Sequence, residues 1–434
     1  MSIIIDSKFK SVLEELENTW DHVFLTGNAG TGKSTLLDLF RSKTKKNLAV
    51  VAPTGVAAVN VQGETIHSFF LFPPNITTER ARTEAKKTRN AKLYRTLQTL
   101  IIDEISMVRA DLLDSINIFL QTVRKNKQSF GGVQVIMVGD LHQLPPVVTQ
   151  EEQEAINSLY QSPYFFSSNV FMSLTDGLYR QIKYFELEKI YRQDDQCFVE
   201  ILNRVRSKQI TQEDLEVLNR CQVDGDGWLE DHVYLTAINN QADKINQFKL
   251  NEIEGPTICF QGIATGSFPE KQFPAANSLE VKTGARVMLL NNDPNDRWIN
   301  GTTGMLMKIR SDHAMVRLDS GETEVIEPVT WNSYKTRLNP ETMALESFEV
   351  GSFKQMPLRL AWAITIHKSQ GKTFDKVAID LGRGAFAHGQ TYVALSRCTT
   401  LKGLKLIRPL SESSIIMDDR VVSFLKNIKQ FKAD

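Results

Sequence analysis

Gly27, Asn28, Ala29, Gly30, Thr31, Gly32, Lys33 and Ser34, followed by Thr35, place three glycines, a lysine and a hydroxyl in the order a phosphate-binding turn needs. Glycine lets the chain wrap with its N–H groups pointing inward, and a helix starting at the end of the turn adds its own unpaired N–H groups. Lys33 would neutralise the β- and γ-phosphates, and the Ser34 hydroxyl would ligate Mg²⁺. Seventy residues on, LIIDE (100–104) is an apolar run ending in two carboxylates. Alone it would read as a solvated strand end. Behind a phosphate turn, Asp103 becomes the Mg²⁺ ligand and Glu104 the base that orients and deprotonates water. A base for water also argues against a nucleotide kinase. In VGDLHQLPPV (138–147), Gln143 could sense a γ-phosphate, since its amide donates and accepts at once; a polar loop capped by Pro145-Pro146 reads equally well. Arg192 in EKIYRQ and Arg397 in YVALSRC are either surface arginines or the cations that a phosphoryl transition state requires.

These residues need a scaffold, and the pattern between them predicts one. Phe9, Val12, Leu13, Leu16 and Trp20 fall at helical spacing, so residues 7–20 should open the chain as an amphipathic helix. Short apolar runs at 22–26, 48–52, 99–103 and 133–140 read as buried strands, and 111–123 as a helix with one apolar face. Strand alternating with helix is the signature of a parallel α/β sheet. Residues 71–98 interrupt it, opening on Pro73-Pro74 and carrying seven Lys/Arg against two Glu over 79–95; they read as an insertion projecting from the first α/β unit. Runs at 184–187 and 233–237 begin a second unit, which resumes at 376–381 and 404–408. Between 255 and 350, short alternating runs such as 305–310 and 314–319 predict hairpins and a small inserted β barrel.

Composition narrows the classes. The 434 residues carry 51 Lys+Arg and 51 Asp+Glu, so any polyanion-binding surface must be local. The basic stretch is offset by 213–231, where seven carboxylates face Arg220 alone. Cys197, Cys221, Cys259 and Cys398 form no C-x-x-C pair, which excludes a zinc ribbon or disulfide scaffold and suits a reducing compartment. No run approaches 18 apolar residues, and the first ten residues are not a signal peptide. The expectation is a soluble intracellular protein, cytoplasmic if bacterial, with no membrane partner.

Taken in order, GNAGTGKS, VVAPTGVAAVNVQGETIHSFF, IIDEISMV, VQVIMVGDLHQLPPV, LEKIYRQ, AWAITIHKSQG and YVALSRC resemble the helicase motifs of superfamily one, subclass B. Within it the chain is most similar to the PIF (petite integration frequency) family of DNA helicases, relatives of RecD. The resemblance implies an α/β protein of two RecA-like P-loop NTPase domains. The first would span 1–180, with 71–98 as a wedge; the second 181–254 and 356–434, with an SH3-like β barrel at 255–355. ATP and Mg²⁺ would sit between them, with Arg192 and Arg397 reaching the γ-phosphate and Gly371 beside it. The implied activity is 5′-to-3′ translocation on single-stranded DNA and unwinding of duplexes, in replication, repair or recombination. Single-stranded DNA, single/double-strand junctions and G-quadruplexes are the implied partners, and a monomer the expected state. The family's adenine-reading glutamine has no counterpart in residues 1–26, and no accessory targeting domain is expected.

The loops expected to face DNA are those with small polar groups suited to phosphates: Pro53, Thr54 and Gly55; Thr65 and His67; and, from the second unit, Thr365, His367 and Lys368. Phe69, with Phe70 and Phe72, would offer either a base-stacking face or core packing. Two rival readings stay open: an RNA-acting helicase, and an ATP-switched binding module that is not a motor.

Overall fold

The computed structural model describes residues 7–433 except 29, 74, 173–177, 189–194, 224–228, 296, 340, 343–344, 383 and 386. The chain opens with helix α1 (Ser7–Asn18) and strand β1 (Val23–Gly27). Helix α2 (Lys33–Lys43) leads to β2 (Leu48–Ala52), α3 (Gly55–Asn60), the short β3 (Glu64–Thr65) and α4 (Ile66–Phe70). Then come α5 (Thr78–Lys87), α6 (Ala91–Thr96), β4 (Thr99–Ile102), α7 (Ala110–Arg124), β5 (Gln134–Val138) and β6 (Lys183–Leu187). The six strands form one parallel sheet in the order β3-β2-β4-β5-β1-β6. Alternate residues go to opposite faces. Phe24, Leu100, Ile102, Val135 and Met137 join the core under α7, whereas Val23, Leu25, Ile101, Ile136 and Val138 pack against α1 and α2. Burial on both faces is why these strands read as continuous apolar runs.

A second parallel sheet pairs Ala363–Thr365, β7 (Val233–Thr236), Val377–Asp380 and Leu404–Leu406, in that order. Between β7 and Ala363 the strands are antiparallel. Five of them order as Thr323–Ile326, Ala314–Leu318, Thr303–Ile309, Arg286–Leu289 and Leu358–Leu360. A ribbon of Val329–Leu338 with Leu345–Gln355 reaches back to the first unit, where Glu64 accepts the Thr336 N–H at 2.6 Å.

Several expectations change. Strand 183–187 pairs with β1, so it completes the first sheet instead of opening the second. Helix Asp419–Ala433 also leaves the unit it follows: Val421, Phe424, Leu425 and Ile428, at i, i+3, i+4 and i+7, pack into the first unit's core. Trp20 lies beyond the end of α1 and is 58% exposed, with the Lys46 ammonium 4.5 Å above its ring. The basic segment does not project freely. Phe72, Ile76, Ala81, Ala85, Leu93, Tyr94 and Leu97 enter the core against α7, while Arg80, Arg82, Lys86, Lys87, Arg89, Lys92 and Arg95 are all exposed. Among the described residues, no helix is long and apolar enough to cross a membrane.

Candidate active site

The glycine-rich turn joins the buried end of β1 to α2, with Gly30 and Gly32 at φ +79° and +86°, where a side chain would be strained. Gly32 caps α2 without a side-chain acceptor, so the helix presents free N–H groups at its positive end. Lys33 Nζ donates to the carbonyls of Gly27 (2.7 Å) and Asn28 (3.0 Å), and the Thr31 hydroxyl also donates to Asn28 O (2.9 Å). Burial lowers the Lys33 ammonium, against the pull of Asp140 and Glu104. Ser34 and Thr35 follow in the first turn of α2; Ala29 lies outside the described residues.

The acid pair stands where β4 ends. Asp103 continues the sheet, its N–H donating to Val51 O at 2.9 Å, and Glu104 then turns left-handed at φ +49°. Burial, and next the neighbouring Asp103, push the Glu104 carboxyl up to about 7; burial also raises Asp103. A carboxyl that holds a proton so readily suits a general base. Gln143 is buried after β5, its Nε2 3.4 Å from Asp140 Oδ2.

From the second unit, Gln370 Nε2 approaches Gln143 Oε1 at 3.5 Å. Arg397 is fully buried: it donates through Nε to Val393 O (2.9 Å), through Nη1 to Ser369 O (3.2 Å) and Lys372 O (3.0 Å), and through Nη2 to Ser396 Oγ (2.8 Å). It thereby clamps the turn containing Gly371 (φ +75°), and its charge reaches Glu104. Arg192 lies outside the described residues. His388 ties the units together, accepting the Asp418 N–H at Nδ1 and donating from Nε2 to Leu141 O, each at 2.7 Å.

Sequence reasoning missed three members of this site. Asp140 is wholly enclosed; burial would raise it, but Arg206, His142 and Lys33 together hold it below the usual carboxylate range. Arg206 and Asn203 come from helix Gln196–Arg206, and Asn203 Oδ1 accepts from Asn28 Nδ2 at 3.0 Å. Nothing local marks either residue; only the docking of that helix brings them to the glycine-rich turn.

The other loops singled out lie at the C-terminal ends of parallel strands, the usual ligand side of such sheets. Thr54 and Thr65 accept the N–H groups of Ala57 (3.2 Å) and Ser68 (3.1 Å), capping α3 and α4, with Pro53, Gly55 and His67 partly exposed beside them. His367 and Lys368 are exposed, but Thr365 is 2% exposed and its hydroxyl accepts the Lys368 N–H, so it shapes the turn and offers no surface contact. Phe69 is a correction too. At 5% exposure it packs edge-on to Phe70 and Tyr94, and with Phe70 and Phe72 it belongs to the core, since three large apolar rings gain more there than at a wet face.

A family model for PIF1-like helicases matches residues 4–216. The ATP-dependent DNA helicase Pif1 of Bdellovibrio bacteriovorus is 34% identical over 435 residues, covering 96% of this chain and 90% of that protein. Bacteroides sp Pif1 in complex with ADP-AlF4 is 36% identical, with a TM-score of 0.92 over 99% of this chain and 98% of that one. Bacteroides Pif1 bound to ssDNA gives a TM-score of 0.68 at 36% identity over the same shares. The likeness runs along nearly the whole of both chains, and the chain belongs to the family of PIF1-like helicases.

Proposed function

We propose that this chain is an ATP-dependent DNA helicase that moves 5′-to-3′ along single-stranded DNA and separates duplexes, acting as a monomer in replication, repair or recombination. The observation that carries the reading is the meeting of both parallel units at one nucleotide site. Lys33, Asp103, Glu104 and Gln143 come from the first, while Gln370 and Arg397 stand against them from the second. Hydrolysis then depends on how the units are docked, which is what a motor needs.

The first unit holds ATP through the turn's N–H groups and Lys33, which must leave its two carbonyls to reach the phosphates. Ser34 and Asp103 offer hard oxygen donors of the kind Mg²⁺ prefers, and they would hold it; the ion supplies charge neutralisation at the γ-phosphate. Glu104 takes the proton of the attacking water. Gln143 reads the γ-phosphate, and Arg397, joined by Arg192, stabilises its transition-state charge. Thr54, Thr65 and His67 on one unit and His367 and Lys368 on the other border the strand path, contacting phosphates without reading sequence. The two units are RecA-like domains, and 255–355 is an SH3-like barrel with a docking ribbon. The seven exposed cations of 80–95 form a wedge at the single/double-strand junction. The ssDNA held by the Bacteroides relative supports this choice of partner.

The test is unwinding of duplexes bearing a 5′ or a 3′ single-stranded tail, with DNA or RNA as the tracking strand, and of a tailed G-quadruplex. ATP-dependent separation only from 5′ DNA tails is expected. Preference for an RNA tail would favour the rival substrate, and ATPase indifferent to single strands with no separation would mark a binding module.

A further inference from the structure

Helix Gln196–Arg206 belongs to the second unit by its core, with Phe198, Ile201, Leu202 and Val205 turned inward. Its last turn points the other way. Asn203 and Arg206, three residues apart and so on one face, meet the first unit. Arg206 enters between two carboxylates there: Nη2 lies 3.5 Å from Asp140 Oδ1, and Nη1 lies 3.3 Å from Glu186 Oε1. The Asp140 side chain is fully buried and that of Arg206 is 12% exposed. Glu186, on β6, is also held by the Tyr184 hydroxyl at 3.0 Å and by Lys429 Nζ at 2.5 Å. The same Asp140 Oδ1 accepts the His142 N–H at 3.1 Å, and the other oxygen, Oδ2, faces Gln143 Nε2 at 3.4 Å. A line of alternating charge therefore runs Lys429–Glu186–Arg206–Asp140 and ends on the Gln143 amide. Every other member sits on an element packed into the first unit; Arg206 alone is fixed to the second.

Stability does not account for such a pair. Desolvating two enclosed charges costs so much that apolar residues of the same volume would serve at least as well. What the pair provides is orientation. A planar guanidinium can hold two carboxylates at set angles, which a lysine's point charge cannot. We infer that Arg206 is a positioning residue for ATP hydrolysis: docked from the second unit, it fixes the Asp140 carboxylate and, through it, the Gln143 amide that meets the γ-phosphate. The step rests on the reading of Gln143 given above. Moving the second unit away withdraws Arg206, frees Asp140 and lets Gln143 rotate, and the same movement takes Asn203 from Asn28, so turnover is switched by docking.

The experiment compares Arg206→Lys, Gln143→Ala and the double variant in the full chain. It measures kcat and KM for ATP at saturating single-stranded DNA, and the affinity for a non-hydrolysable ATP analogue. Arg206→Lys should lower kcat by about tenfold or more, with KM and analogue affinity within about threefold, the mark of an interaction made only in the transition state. On the Gln143→Ala background it should cost less than about twofold more, because residues acting in series are not additive. Glu186→Gln loosens the same fork from its far side and should lower kcat in the same direction. If the lysine variant does not fold, Glu186→Gln alone and with Gln143→Ala decides by the same criterion. Unchanged kcat, multiplicative losses in the double variant, or a fall in ATP affinity as large as the fall in kcat would each overturn the inference. Normal turnover in Gln143→Ala would overturn the assignment of Gln143, and the inference with it. Multiplicative losses beside a slow Gln143→Ala would overturn only the link through Arg206.

Discussion

Glu104 ends a buried strand on a left-handed turn, and burial with Asp103 beside it moves its carboxyl from the ordinary 4.5 to about 7. Above pH 7 the folded protein carries a charge where its surroundings resist one, while the unfolded chain ionises the same group freely from about pH 4.5 upward. A raised carboxyl favours the folded state only at low pH. That advantage is complete below pH 4.5, falls as pH rises, and is lost above 7. Moving a carboxyl from 4.5 to about 7 corresponds to about 3 kcal/mol. Glutamine keeps the shape without the charge. Glu104→Gln should therefore be more stable than the parent by about 3 kcal/mol at pH 8 and by under about 1 kcal/mol at pH 5. Losing the base should cut ATP turnover by about 10²–10⁴-fold while ATP binding survives. The assay is urea unfolding of nucleotide-free protein in EDTA at pH 5, 6.5 and 8, beside single-strand-stimulated ATPase. A variant no more stable than its parent at pH 8 would refute the raised carboxyl, and near-parental turnover would refute the base.

Arg397→Ala should lower single-strand-stimulated turnover by about 10³-fold or more. It should also cost about 1–3 kcal/mol in melting experiments, because three carbonyls, two of them buried, lose their donor, and lysine should restore little of either. Exchanging Arg80, Arg82, Lys86, Lys87 and Arg89 for serine leaves the packing of Ala81, Ala85 and Tyr94 intact. Unwinding of tailed duplexes should then fall and lose salt sensitivity while DNA-stimulated ATPase persists; unaltered unwinding would make this a solvated face. Phe424 stacks on Phe166 at 4.3 Å, so Phe424→Ala should cost about 3–5 kcal/mol in chemical unfolding, and a loss below about 1 would show the last helix is not part of the first core.

The strands of the first sheet were legible because two-sided burial leaves uninterrupted apolar runs, and the glycine-rich turn because its glycines follow one of them directly. Partnership was not legible. Residues 183–187 look the same whether they edge one sheet or start another, and the choice is made by hydrogen bonds to β1. Helix 419–433 shows an apolar stripe, but nothing in the stripe says which core it enters. Phe69, Phe70 and Phe72 were ambiguous for the reason that rings suit bases and cores alike; Tyr94, whose hydroxyl donates to Phe69 O at 2.6 Å, decides for the core. At the candidate site the groups on strand ends were readable from spacing. Asp140 lay within a stretch read for its glutamine, and Arg206 was one arginine among many, because its meaning arises only when two units touch.

The helix Asp419–Ala433 has a consequence for how the protein is made. Its Phe424 closes over Phe165, Phe166 and Phe171, which belong to a core assembled around β1, β4 and β5. On the ribosome, residues 183–420 must be synthesised after Ile182 and before Val421 can join that core. At roughly 5–20 residues per second the aromatic face stays open for on the order of ten seconds or longer. The first unit is thus translated before the second but sealed after it. A nascent chain of this design should dwell on chaperones that recognise exposed aromatic surface, and release from them should follow the emergence of residues 421–428.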